Sequence, residues 1–195
     1  MTYEIKEHKH RYAAWAASRA SSVKGCRFSV LQGKMIIENS GISVFVDSPQ
    51  NLPEAENFDK AHSNWRESVI SEAEKLGLIF THGVAAKLIN VYMKTIFVCG
   101  GYVENEKVAS IHPPIDEVLL KSLRDNDVGG LKKEWQKAVT KRWSKFDSEK
   151  YQSVIDNIRK ALDGSPMWEI EKYWQGYQGS TANKSMQPTA AASAD

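Results

Sequence analysis

The stretch THGVAAKLINVYMKTIFVCGG, residues 81–101, decides the fold of this chain. Thr81 can cap a helix, because its hydroxyl can accept a hydrogen bond from a backbone N–H of the first turn. After Lys87 the segment is apolar on nearly every side until Gly100 and Gly101, and a helix that is hydrophobic all round is a buried one. The sequence therefore predicts a helix over residues 81–98 at the centre of the protein.

Further helices are predicted on both sides of this central segment. Apolar residues recur at intervals of three and four in each of them, which is the spacing of one helix face. In the first helix this spacing is carried by Tyr12, Trp15 and Ala16. Pro113 and Pro114 are expected to open one of these helices and Asp147 to cap another. The predicted helices cover residues 4–22, 57–76, 114–124, 147–163 and 166–177, and one more follows Gly129-Gly130. The fold class is therefore all-α, with about eight helices.

Residues 27–46 allow two interpretations. Ser29 and Gln32 have the spacing of a capping box, which predicts a helix from Ser29 to about Ser40 that ends at Gly41. The same stretch is rich in β-branched and aromatic residues around Gly33 and Gly41, which is also typical of a small hairpin.

The chain is predicted to form one all-α domain over residues 1–178. The run SPQNLPEA, residues 48–55, has two prolines and no apolar periodicity, so we expect it to be an exposed connection. Residues 179–195 are small and polar, so they cannot bury enough surface to offset the entropy of ordering. We expect them to be a disordered tail that can be removed without loss of stability.

Composition excludes several classes of protein. The 195 residues are 42% hydrophobic and 26% charged, which is typical of a globular protein rather than a disordered one. Lys and Arg number 26 against 24 Asp and Glu, far from the excess of a histone-like protein. Two cysteines, Cys26 and Cys99, and five histidines without ligand spacing predict no metal site. With no nucleotide or cofactor motif and no long apolar segment, we expect a cytoplasmic protein without cofactor or membrane contact.

The segment Gly83-Val84-Ala85-Ala86-Lys87-Leu88-Ile89-Asn90-Val91, followed by Pro114-Ile115-Asp116-Glu117-Val118, resembles the core of the helix-hairpin-helix DNA glycosylases, the endonuclease III and 8-oxoguanine glycosylase group. Their hairpin reads G-[VI]-G-x-K-x-A-[ND]-x-[VI], and an aspartate stands at the head of the next helix. Lys87 falls on the family's lysine and Asp116 on its aspartate. Ala85 replaces the second glycine, and the spacing requires an insertion covering residues 99–110.

The resemblance implies base excision from double-stranded DNA. In that chemistry Lys87, as a free amine, attacks C1′ of a nucleotide flipped out of the duplex, and Asp116 stabilises the developing positive charge. Gly83 would contribute to the hairpin that grips a phosphate.

A basic stripe is predicted on the helix after Gly130. Lys133, Lys137 and Lys141 are four residues apart and share one face, reinforced by Lys132, Arg142 and Lys145. Such a face could neutralise DNA phosphates, although a solvated helix face has the same pattern.

The last residues, 183–195, resemble the C-terminal tails of bacterial integron gene-cassette proteins, whose endings are of the MQPTA...ASAD kind. This implies a bacterial accessory protein and leaves its mechanism open. The competing hypothesis is a non-catalytic helical module, either a monomer or a homodimer, that binds another protein through the aromatic C-terminal helices.

Overall fold

A computed structural model describes residues 3–177, and within them the chain forms eight α-helices and no β-strand. Short 3₁₀ turns join the helices, and a π-helical turn, Lys94–Val98, extends α4. The prediction of an all-α fold with about eight helices is confirmed, while the predicted tail lies outside the described residues. The helices are α1 Ile5–Ser21, α2 Val30–Asn39, α3 Ala55–Lys75, α4 His82–Met93, α5 Glu106–Ala109, α6 Glu117–Asp125, α7 Lys132–Lys141 and α8 Ser148–Leu162.

Helix α4 lies at the centre, as its apolar sequence predicted. Every residue from Gly83 to Asn90 is buried. Ala85, Leu88 and Ile89 pack into a core built with α1, α2 and α3, whereas Ala86 packs into a second core built with α6, α7 and α8. Trp143 contacts both cores, so the Lys87 region of α4 lies where they meet.

Capping residues fix where several helices begin. The Ser29 hydroxyl accepts from the Gln32 backbone N–H at 3.1 Å, and the Gln32 side chain accepts from the Ser29 N–H at 2.9 Å. This capping box settles residues 27–46 in favour of helix α2, followed by a 3₁₀ turn over Ile42–Asp47. Thr81 and Asp147 cap α4 and α8 as predicted.

Helix α1 has the predicted position but packs through a different face. Tyr12 and Trp15 are 58% and 49% exposed, so the aromatic spacing marks the solvent side. The buried side carries Ala13, Ala14 and Ala17. Their small side chains let the backbones of α1 and α4 approach closely, which larger residues would prevent.

The elements around the prolines differ from the predictions. Helix α6 begins at Glu117 with Asp116 as its N-cap, so Pro113 and Pro114 precede the helix instead of forming its first turn. A residue before proline is biased towards extended backbone, and aspartate is a strong N-cap. The C-terminal prediction of helix over 166–177 is also wrong: the chain forms a 3₁₀ helix, Met167–Tyr173, and is extended at Trp174.

The segment over residues 48–55 is anchored to the core. Pro49 and Leu52 are buried. Lys107 Nζ donates to the carbonyl oxygens of Gln50 and Leu52, each at 3.0 Å. The expectation of an exposed connection is therefore confirmed only in part: Gln50, Asn51, Glu54 and Ala55 are exposed, but the two buried apolar side chains hold the run against the core.

Candidate functional site

Lys87 and Asp116 meet in the folded protein. Lys87 Nζ lies 3.0 Å from Asp116 Oδ2, although the two residues are 29 positions apart. Asp116 Oδ1 accepts the Leu119 backbone N–H at 2.8 Å, which holds the carboxylate at the head of α6. The cap uses one oxygen of Asp116 and the ion pair uses the other. The N-terminus of α6 therefore holds the Asp116 carboxylate in place opposite the Lys87 amine.

Two tryptophans enclose this ion pair. Trp174 Nε1 donates to Asp116 Oδ2 at 3.0 Å, and Lys87 Nζ lies 5.6 Å from the centre of the Trp143 ring. The Lys87 side chain is only 7% exposed and that of Asp116 is 21% exposed. Burial lowers the pKa of Lys87, while Asp116 acts in the opposite direction. Burial thus favours the free amine that a nucleophile needs, and the carboxylate favours the ammonium.

A second ion pair lies beside the first. Lys94, two turns beyond Lys87 in the π-helical turn that extends α4, pairs with Glu171 of the C-terminal 3₁₀ helix. Burial raises the pKa of Glu171, against the effect of Lys94 and Lys87. Glu171 and Trp174 therefore dock the C-terminal segment onto the face of α4 that carries Lys87. Sequence reasoning missed Glu171, since no pattern links it to α4.

Gly83 has a packing role. Its backbone N–H donates to the Phe146 carbonyl at 3.1 Å. A Cβ at this position would lie 1.9 Å from the Trp143 carbonyl oxygen. Only glycine allows α4 to approach the 143–146 turn this closely, and its N–H is already bonded and not free to bind a phosphate.

The basic stripe lies on the exposed side of α7. Lys137 Nζ pairs with Glu134 at 2.8 Å, and Lys141 Nζ lies 3.7 Å from Asp147. Lys133 has no ion-pair partner among residues 3–177. The stripe runs towards Arg142 and Trp143, and the Trp143 ring in turn faces Lys87.

The structure also contains a buried polar network that sequence reasoning missed. It joins α3, α4, α8 and the loop before α6. Five of its side chains are at most 1% exposed. They are His62, Arg66, Asn90, His112 and Tyr151. Residues 62 and 66 interrupt the apolar stripe of α3 at a spacing of four, and that interruption is the sequence signal that could have revealed them.

The hydrogen bonds of this network run in one direction. Arg66 Nη1 donates to His62 Nδ1 at 2.8 Å, and His62 Nε2 donates to Asn90 Oδ1 at 2.7 Å. Asn90 Nδ2 donates to the Tyr151 hydroxyl at 3.0 Å and to the Pro113 carbonyl at 2.9 Å. Tyr151 then donates to His112 Nδ1 at 3.1 Å. These bonds are satisfied together only when both histidines are neutral.

Asp59 closes the network near the surface. His112 Nε2 donates to Asp59 Oδ1 at 2.9 Å, and Arg159 Nη2 donates to the same oxygen at 2.9 Å. The hydrogen bond from His112 holds the pKa of Asp59 well below its usual range. Burial lowers the pKa of both His62 and His112. Every polar group in this network has a partner, so it fixes how three helices pack.

His82 and His112, which precede the two glycosylase-like segments, both contact the buried network. His112 packs against His62, with ring centres 4.4 Å apart, and His82 Nδ1 lies 3.5 Å from Arg66 Nε. Within residues 3–177, no group of three or more His, Cys, Asp or Glu side chains could hold a metal ion. No helix in that range is both long enough and apolar enough to cross a membrane.

Comparison with known proteins shows no family model, no curated protein and no solved structure that matches this chain.

Proposed function

We propose that this protein binds double-stranded DNA through a lysine surface on α7 and the turn that follows it. The α7 lysine surface consists of Lys132, Lys133, Lys137, Lys141 and Lys145. Three of these lysines, at positions 132, 133 and 145, have no ion-pair partner among the described residues. This uncompensated positive charge is the observation that carries the proposal, because a surface that attracts phosphates needs cations that internal carboxylates do not neutralise.

The proposal predicts binding that depends strongly on salt and little on sequence. Each lysine that contacts a phosphate releases a condensed counterion, which lowers the slope of log K against log salt by about 0.9 on duplex DNA. The experiment compares the parent with the variant Lys132→Gln/Lys133→Gln/Lys145→Gln, which removes the three unpaired lysines, by fluorescence anisotropy on a labelled duplex. The matched control is Lys6→Gln/Lys60→Gln/Lys75→Gln, which removes the same charge from exposed positions elsewhere.

Base excision by Lys87 and Asp116 is the second activity that we propose for the same scaffold. One observation favours it: Lys87 Nζ lies 3.0 Å from Asp116 Oδ2, and these are the two residues that match the glycosylase lysine and aspartate. In the reaction the Lys87 amine forms a bond to C1′ while the glycosidic bond breaks, and the electron pair of that bond leaves with the base. Asp116 stabilises the positive charge on the sugar, and the proton lost by Nζ can pass to the departing base.

Access to Lys87 requires a movement of its surroundings. The amine is buried against Trp143, and the indole of Trp174 occupies the same carboxylate oxygen of Asp116. We therefore expect DNA binding to displace Trp174 before any sugar reaches Nζ. Borohydride reduction of the imine between Lys87 and the abasic sugar tests this reaction, since it leaves a permanent crosslink. Lys87→Gln should abolish the crosslink and keep most of the DNA affinity, and an absence of crosslinking on every lesion tried would contradict the lysine mechanism.

A non-catalytic interaction module is the competing proposal. The exposed face of α1 presents Ile5, Tyr12 and Trp15, and such a face could pack against a partner helix or a second copy of the chain. Sedimentation of the parent and of Tyr12→Ser/Trp15→Ser distinguishes the classes. A dimer that the double variant disrupts, in a protein that binds no DNA, would favour the module.

A further inference from the structure

A cleft of about 350 Å³ lies between the end of α7, the first turns of α6 and the loop after α1. It adjoins the α7 lysine surface, because Arg142 directly follows Lys141, but the five lysines of that surface do not line it. Its walls include Lys24, Glu117, Leu120, Val139, Arg142 and Trp143. This volume lies within the range of small-molecule sites, roughly 300–1,000 Å³.

Arg142 has a strained backbone at this cleft. Its φ of 64° and ψ of 126° lie outside the left-handed helical region, which Asp127 and Asp163, the other non-glycine residues with positive φ among residues 3–177, both occupy. The Arg142 N–H donates to the carbonyl oxygens of Ala138 and Val139, each at 3.2 Å. Glycine adopts such a conformation far more readily than arginine. Strain of this kind is concentrated at ligand sites, so its presence here suggests a use for the guanidinium.

The charges of the cleft favour an anion at its mouth. Lys24 and Arg142 have no ion-pair partner among residues 3–177. The carboxylate in the wall, Glu117, is paired with Lys121 at 2.5 Å. Two free cations therefore face one carboxylate that is already compensated. An arginine and a lysine placed together at a cleft suit a phosphate, because the guanidinium can donate two parallel hydrogen bonds.

The remaining walls favour a flat ring. Leu120 and Val139 are apolar, and Trp143 presents an indole on which a nucleobase can stack. A phosphate and a planar ring within one small cleft are the two parts of a nucleotide. Trp143 also contacts Lys87 Nζ, so an occupant of the cleft would be one side chain away from the Lys87–Asp116 pair.

We propose that this cleft binds one nucleotide unit, with its base against Trp143 and its phosphate between Lys24 and Arg142. The inference rests on the proposed function in one respect: the bound DNA would supply the nucleotide, as an unpaired residue. A free nucleoside monophosphate has the same chemistry, and the experiment separates the two sources.

The experiment is calorimetric titration of the full chain with 2′-deoxyadenosine 5′-monophosphate, with deoxyadenosine and with inorganic phosphate. We expect the nucleotide to bind more tightly than either of its parts. Arg142→Gly is the central variant, since it removes the guanidinium and also relieves the backbone strain. It should weaken nucleotide binding at least tenfold while the melting temperature stays constant or rises. Asp163→Gly is the control, because it alters a positive-φ residue outside the cleft and should leave nucleotide affinity unchanged.

The outcomes separate this inference from the proposed function. If the parent fails to bind the nucleotide, or if Arg142→Gly binds it as tightly as the parent, the cleft is not a nucleotide site, whatever the protein does with duplex DNA. If the nucleotide binds as expected and duplex DNA does not bind at low salt, the cleft is a nucleotide site and its ligand is a free nucleotide. If the nucleotide and duplex DNA both bind, and deoxyadenosine monophosphate competes with a duplex that carries an unpaired nucleotide, the ligand of the cleft is a residue of the DNA.

Discussion

Lys87 donates to the same Asp116 oxygen that accepts the Trp174 indole N–H, each at 3.0 Å, and this three-way contact joins α4, the head of α6 and the C-terminal segment. The other oxygen of Asp116 caps α6. The Asp116 carboxylate therefore caps α6, neutralises the buried Lys87 amine and anchors the C-terminal segment through Trp174. Removal of its charge tests this arrangement separately from the cap.

Asp116→Asn should destabilise the protein by about 3 kcal/mol, at the lower end of the range for removal of one partner of a buried ion pair. Asparagine is also a good N-cap, so the cap of α6 is kept. The loss of unfolding free energy then measures the cost of leaving the buried Lys87 ammonium and the Trp174 indole N–H without a carboxylate. Chemical denaturation measures it. Asp147→Asn, at the exposed N-cap of α8, is the control and should cost less than about 1 kcal/mol. Equal losses in the two variants would show that the Lys87–Asp116 pair contributes nothing beyond a cap.

The buried histidines predict a loss of stability in acid. Burial lowers the pKa of His62 and His112 below the usual 6.5, so the unfolded chain takes up protons that the folded chain does not. Their contribution to stability is complete above pH 6.5 and is lost as the pH falls below it. Between pH 6.5 and its lowered pKa in the folded protein, each histidine adds up to about 1.4 kcal/mol per pH unit to the slope of stability against pH. His62→Gln should remove the larger share of this slope, because burial lowers the pKa of His62 well below its usual value, and chemical denaturation of the parent and the variant across this pH range measures the difference.

Gly83→Ala should lower stability by about 2 kcal/mol or more, since the added methyl group collides with the Trp143 carbonyl. Thermal unfolding measures this effect. At Gly25 a Cβ meets no other atom, so Gly25→Ala carries only the strain of its positive φ, about 1 kcal/mol. A Gly83→Ala protein that melts like the parent and loses DNA affinity would instead assign Gly83 to a phosphate contact.

Trp174→Phe tests whether the indole N–H helps to close the site. The ring can still pack, but Asp116 loses one hydrogen bond, so we expect a loss of about 1 kcal/mol. If closure limits access to Lys87, the same variant should increase borohydride crosslinking. The control is Trp15→Phe on the exposed face of α1, which should alter neither property.

Local signals in the sequence predicted much of this fold. The capping box at Ser29 and the caps at Thr81 and Asp147 each depend on side chains and backbone within four residues, so a pattern search can find them. The face of α1 was misread because alanine gives a weak apolar signal beside Tyr12 and Trp15. Its burial follows from close approach to α4, which is a tertiary property.

Long-range polar contacts could not be predicted in the same way. The meeting of Lys87 with Asp116 followed from a family resemblance and not from spacing. The network from Arg66 to His112 joins segments far apart in the chain, and polar residues are normally placed on the surface when a sequence is read alone. The backbone strain of Arg142 depends on how α7 ends against its neighbours, and neither arginine nor the residues around it indicate a positive φ.

The most direct test of the proposed function is the affinity of the parent protein for a labelled duplex at two salt concentrations. We expect binding at 50 mM salt that weakens by roughly 100-fold or more at 200 mM salt, because several lysines contact phosphates. We also expect a shallower salt dependence for Lys132→Gln/Lys133→Gln/Lys145→Gln. An absence of duplex binding at 50 mM salt, or equal salt dependence in the parent and the variant, would contradict the assignment of the α7 lysine surface to DNA.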